Sequence, residues 1–137
     1  MATTATPIFP QAIVTTVTNI VSSGASTPVQ IAPGGTNGSK VEAVTIYTTD
    51  TATNTVTLYI NQSSVNYPLL QFIVPAGSGN TTTIPFNVLN VALMPWLPID
   101  ANGNRYLNLA SGSALYASIA SVTSAKTVTI MAQSAAF

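Results

Sequence analysis

The chain has 137 residues, enough for one domain with its own core, and carries three basic and three acidic side chains for a net charge of zero. Charged residues make up 4% of it, and Cys and His are absent. This excludes the basic patch that nucleic acid needs, attraction to an anionic membrane surface, disulfides, and any catalytic or metal site built on His or Cys.

With 47% of its residues hydrophobic, the chain is expected to fold rather than stay disordered. Its surface must then be made of Thr, Ser, Asn and Gln. A free monomer ordinarily uses charge for solubility, so a neutral polar coat points to a protein that is attached to something. The most apolar stretch, Val88–Ile99, is too short for a membrane span and is broken by Asn90, Pro95 and Pro98.

Residues 1–11 carry Pro7 and Pro10 and no alternation, which predicts an extended or flexible N-terminal arm. From residue 12 to 137 a single β-sandwich domain is expected. Period-two alternation of β-branched and polar residues predicts strands over 12–21, 40–48, 54–61, 67–74, 81–88, 105–110, 113–120 and 126–133. A Gly/Pro/Ser-rich loop separates the first two, and an apolar, Pro-broken loop spans 89–99. Eight short strands of this kind define an all-β sandwich, either jelly-roll or immunoglobulin-like. The glycine cluster at Gly34, Gly35 and Gly38 lacks the spacing of a phosphate loop and leads into a strand, so it reads as a turn.

The segment PIDANGNRYL (98–107) holds Asp100 and Arg105. A calcium loop beginning at Asp100 would need Gly at its sixth position and Glu at its twelfth. Arg105 and Ser111 stand there instead, and Asn102-Gly103 between apolar runs signals a hairpin, with Asp100 and Arg105 placed to pair across it. The carboxylates Glu42, Asp50 and Asp100 read as solvated surface, with Glu42 beside Lys40. No cofactor, metal or catalytic constellation is expected.

One pattern stands out. Tyr59 lies on the strand face opposite Val56, Leu58 and Ile60, and Tyr47, Tyr106 and Tyr116 are placed likewise against their aliphatic neighbours. These four are candidate anchors for a protein interface, candidate platforms for sugars, or ordinary cross-strand partners on a half-exposed sheet. Trp96, in MPWLP, either plugs one end of the sandwich, the favoured reading, or docks on a partner.

The blocks GGTNGSKVEAVTIYTTDTATNTVTLYIN (34–61) and PIDANGNRYLNLASGSALYASIASVTSAKTVTIMA (98–132) resemble small all-β virion proteins of tailed bacteriophages, decoration (cement) proteins among them. The resemblance implies a non-enzymatic β-sandwich on the outside of a phage capsid, made in the host cytoplasm. It would bind the major capsid protein and form a homo-oligomer, a dimer or trimer, without nucleic acid or membrane as partner. The alternative is a carbohydrate-binding or adhesin-like module of a tail, spike or head–tail connector.

Overall fold

The computed structural model describes residues 9–80 and 82–137. Among these residues there are nine strands: β1 (Ala12–Val21), β2 (Val29–Pro33), β3 (Ser39–Thr48), β4 (Asn54–Gln62), β5 (Val65–Val74), β6 (Phe86–Asn87), β7 (Leu107–Leu109), β8 (Ser113–Ile119) and β9 (Thr127–Ala136). They form two sheets. One has the order β1-β9-β3-β6, with β7 also on β3, and the other has the order β2-β8-β4-β5. The expectation of an arm over 1–11 falls mostly on residues 1–8, outside the described residues.

The topology follows from nested antiparallel pairs. The β4–β5 hairpin is innermost, β3 pairs with β6 and β7 around it, β2 pairs with β8 around those, and β1 pairs with β9 outermost. A long hairpin wrapped in this way is a jelly roll, which resolves the two sandwich topologies left open by the sequence. Alternation drives the assembly: Val44 and Ile46 of β3 and Val128 and Ile130 of β9 face Val56 and Leu58 of β4 and Leu115 and Ile119 of β8, all fully buried. Each such side chain contributes about 1.5–3 kcal/mol on burial. The exposed Lys40–Glu42 pair, at 3.7 Å, contributes roughly 0.5 kcal/mol at most. Apolar burial therefore holds the fold.

Eight strands were expected and the pairings define eight positions, but the two sets differ. Residues 29–33, expected as loop, form β2. A register shift between Gln30 and Ala32 buries Ile31 and Ala32 together, which erases the alternation that would have revealed the strand. Conversely, the expected strands 81–88 and 105–110 shrink to β6 and β7, two pieces of one interrupted position alongside β3. Between them the chain leaves the sheet and caps the sandwich with Val88, Leu89, Met94 and Leu97. Trp96 is no plug: it stands 57% exposed while Met94 and Leu97 fill that role.

Asp50 is also not a solvated residue. It is 2% exposed, and its carboxylate accepts from the backbone N–H of Thr123 (2.9 Å) and of Ala52 (3.0 Å) and from Asn54 Nδ2 (3.0 Å). Asn54 in turn donates to the Ser121 carbonyl and accepts from Thr48 Oγ1. This network ties the β3–β4 turn to the β8–β9 loop, joining the two sheets at one end. At the other end the glycine turn meets the β7–β8 turn. A Cβ on Gly34 would overlap the Ser113 backbone oxygen, and Gly38, with φ +91°, lies against Leu109 O.

The β4–β5 hairpin closes through Ser63 and Ser64, both at positive φ (52° and 65°). That is the backbone of a type I′ turn, which Asn-Gly adopts more readily. Replacing Ser63-Ser64 by Asn-Gly is expected to raise stability by about 1 kcal/mol, read as a melting temperature about 3 °C higher.

Candidate binding surfaces

The outer face of the β2-β8-β4-β5 sheet carries no charge, since none of its four strands contains an ionisable side chain other than tyrosine. Register brings two of the sequence candidates together there: Tyr59 of β4 lies directly opposite Tyr116 of β8. Pro68 of β5 continues the row beyond Tyr59 and Gln30 of β2 beyond Tyr116, so one line of side chains crosses all four strands. The Tyr59 hydroxyl is 3.0 Å from Ser118 Oγ, Gln71 Nε2 donates to Thr57 Oγ1 at 3.2 Å, and Asn61 Nδ2 donates to Asn66 Oδ1 at 2.7 Å. The side chains are thus held in place before any partner arrives, which reduces the entropy lost on binding. Ile73 extends the apolar part of this face and is well exposed.

Tyr47 belongs to the opposite sheet and Tyr106 immediately precedes its strand β7, so neither is part of this row. Tyr47 packs on Gly79, and its hydroxyl donates to Asn80 Oδ1 at 2.8 Å while Asn80 Nδ2 donates to the Thr48 carbonyl at 2.7 Å. It clamps the loop after β5 onto β3. Tyr106 lies beneath Lys40, whose Nζ is 4.4 Å from the ring centroid, an arrangement that favours a cation on the ring face.

Beside Tyr106 an open groove of about 880 Å³ runs between β3 and the loops of residues 87–106. Its walls include Glu42, Asp100, Arg105, Asn87, Asn90, Asn102 and Asn104. Glu42 enters it as the extra residue of a bulge in β3, where the register shifts between Val41 and Ala43. The turn reading of residues 99–105 holds. Asp100 Oδ1 accepts from the N–H groups of Asn102 and Asn104, both at 2.9 Å, and Ile99 bridges Arg105. The loop has three residues with only Gly103 at positive φ (83°), a type I turn closed by a left-handed glycine.

The expected Asp100–Arg105 pair does not form. Asp100 is occupied by the turn's own amides, and Arg105 Nη1 donates to the carbonyls of Pro95 (3.1 Å) and Leu97 (2.6 Å). The guanidinium thereby grips the backbone on both sides of Trp96 and holds that indole outward.

Two features escaped sequence reasoning. Tyr67 is well exposed at the β4–β5 hairpin, where it shares a face with Ile60, because the bulge opposite Leu58 and Tyr59 shifts the alternation of β5. Glu42 joins Asp100 and Arg105 on one groove from a distant strand, and that convergence left no local signal. Compared with protein-family models, curated proteins and solved structures, the chain matches none.

Proposed function

We propose that this chain is a non-enzymatic virion structural protein, a decoration protein that attaches to the outside of a bacteriophage capsid and stabilises contacts between major capsid subunits. The observation that carries this reading is the uncharged outer face of the β2-β8-β4-β5 sheet, with Tyr59 and Tyr116 side by side at its centre. Tyrosines in a neutral hydroxyl- and amide-rich field suit a protein interface: their rings bury apolar area and their hydroxyls accept or donate. The resemblance of residues 34–61 and 98–132 to phage decoration proteins points the same way. Viral capsid proteins and lectins both use jelly rolls, so the fold agrees with the proposal without deciding it. Stabilisation works by mass action. A protein that binds the assembled shell and not its free subunits adds its binding free energy to the assembled state.

A second reading has the groove behind it. The Tyr106 ring, the Glu42 carboxylate and the side-chain amides of Asn102 and Asn104 are the kinds of groups that hold a sugar's face and hydroxyls, and they would make this a carbohydrate-binding module of a tail or spike. Quantitative mass spectrometry of purified particles separates the two. A decoration protein is present in hundreds of copies, in simple proportion to the major capsid protein. A dozen copies or fewer would favour the tail or spike reading, and absence from particles would overturn both.

A further inference from the structure

Each edge of a sheet offers unpaired backbone groups to another strand, and natural proteins blunt such edges with charge, proline, bulges or brevity. Three of the four edges here are blunted. β5 carries Pro68 and a bulge of its own, β2 is five residues long with a bulge and Pro33, and β6 and β7 have two and three residues. β1 has no such protection. It runs ten residues in unbroken register with β9, from Ala12↔Ala136 to Val21↔Thr127, without Pro, Gly or charge. Among the described residues no backbone hydrogen bond is made along its other edge. Its outward side chains Ile13, Val17 and Val21 are 76%, 63% and 43% exposed.

The sequence of β1 identifies what covers this edge. From Ile13 to Val21 it reads Ile-Val-Thr-Thr-Val-Thr-Asn-Ile-Val, a palindrome of polarity centred on Val17. A two-fold, isologous contact needs a surface complementary to itself. Antiparallel pairing about Val17 supplies it. On the outer face Ile13 meets Val21, Thr15 meets Asn19 and Val17 meets its own copy. On the inner face Val14 meets Ile20 and Thr16 meets Thr18. A slip of one residue would set inner against outer side chains, and a slip of two would set Val17 against a polar residue.

We infer that β1 pairs with β1 of a second copy of this chain about a two-fold axis through Val17, making one continuous sheet across a homodimer. The axis stands perpendicular to that sheet, so both neutral β2-β8-β4-β5 sheets lie on the same side. Given the attachment proposed above, the dimer would bind a particle through two faces at once, with the gain in avidity that follows. The pairing itself uses only β1 and stands independently of that function.

The native chain has no Cys, so a single Val17→Cys reports on the axis directly. Residues facing each other across an antiparallel pair have Cα atoms about 4.5–5.5 Å apart, within disulfide reach. Mild oxidation is expected to join Val17→Cys chains at least tenfold faster than Ile73→Cys chains, whose thiol sits equally exposed on the β5 edge. By light scattering, the native protein at a few hundred micromolar is expected at twice the 14.1 kDa chain mass. Val17→Lys is expected to be monomeric, because residue 17 then meets its own charge, and to melt at a temperature independent of protein concentration, while the native melting temperature rises with concentration. Mixing Val17→Lys with Val17→Glu should restore the doubled mass. A monomeric native protein at that concentration, equal oxidation rates, or a Val17→Lys dimer would each overturn the pairing.

Discussion

Replacing Asp50 by Ala is expected to destabilise the fold by about 4 kcal/mol, because three donors aimed at its carboxylate lose their acceptor inside the protein. For a domain of this size that corresponds to a melting temperature roughly 12 °C lower. Asp50→Asn should recover part of the loss, since one amide oxygen remains while its NH2 opposes donors. The same site sets the acid response. The Thr123 N–H, and after it the Thr123 hydroxyl, the N–H of Ala52 and the Asn54 amide, hold the Asp50 carboxyl well below its ordinary value of 3.8 against the opposing effect of burial. A carboxyl whose pKa falls on folding binds fewer protons when folded. Its contribution is therefore complete above the unfolded value and drains away as pH drops towards the folded one. Melting temperature should decline below about pH 5, and this decline should be shallower in Asp50→Asn. A melting curve of Asp50→Ala that matches the native protein would remove the network from its role at the sheet ends.

The second large effect is expected in association. Tyr59→Ala with Tyr116→Ala should weaken attachment to particles by about 4 kcal/mol, roughly a thousandfold, at two anchors of about 2 kcal/mol each. The fold should lose only about 1 kcal/mol per site, because both side chains are half-buried on the outer face. The two sites are register partners, so the double variant also measures their coupling as the departure from the additive value. The measurement is a paired one: melting by circular dichroism, and co-sedimentation with particles stripped of the native protein. Attachment of the native chain should also survive molar salt, since a neutral face leaves ions little to screen.

Alternation alone placed Tyr59 and Tyr116 outward, and it did so correctly because Tyr59 shares its strand with buried Val56 and Leu58, and Tyr116 with buried Leu115, Ala117 and Ile119. It could not place them side by side. Their pairing spans residues 59 and 116 and exists only once the nested hairpin closes. Asp50 misled for a related reason. A carboxylate in a Thr-rich turn looks solvated, and its partner Thr123 lies 73 residues away. β2 hid behind its bulge, where Ile31 and Ala32 are buried in succession. Trp96 hid behind its own hydrophobicity: Met94 and Leu97 take the core positions while Arg105 pins the chain so that the indole faces out. The sandwich was thus legible from local pattern. The positions of its charges and aromatics relative to one another were not, because non-local pairing sets them.

Hydroxyl-radical footprinting of the chain, free and bound to particles, tests the proposed attachment most directly, because it reads each aromatic side chain separately. Attachment through the neutral sheet predicts that Tyr59 and Tyr116 lose most of their reactivity on particles, while Tyr106, which lines the groove, and Trp96, on the loop that Arg105 anchors, keep theirs. The opposite pattern, with Tyr106 and Trp96 protected and the Tyr59–Tyr116 row unchanged, would contradict it and move the contact to the groove.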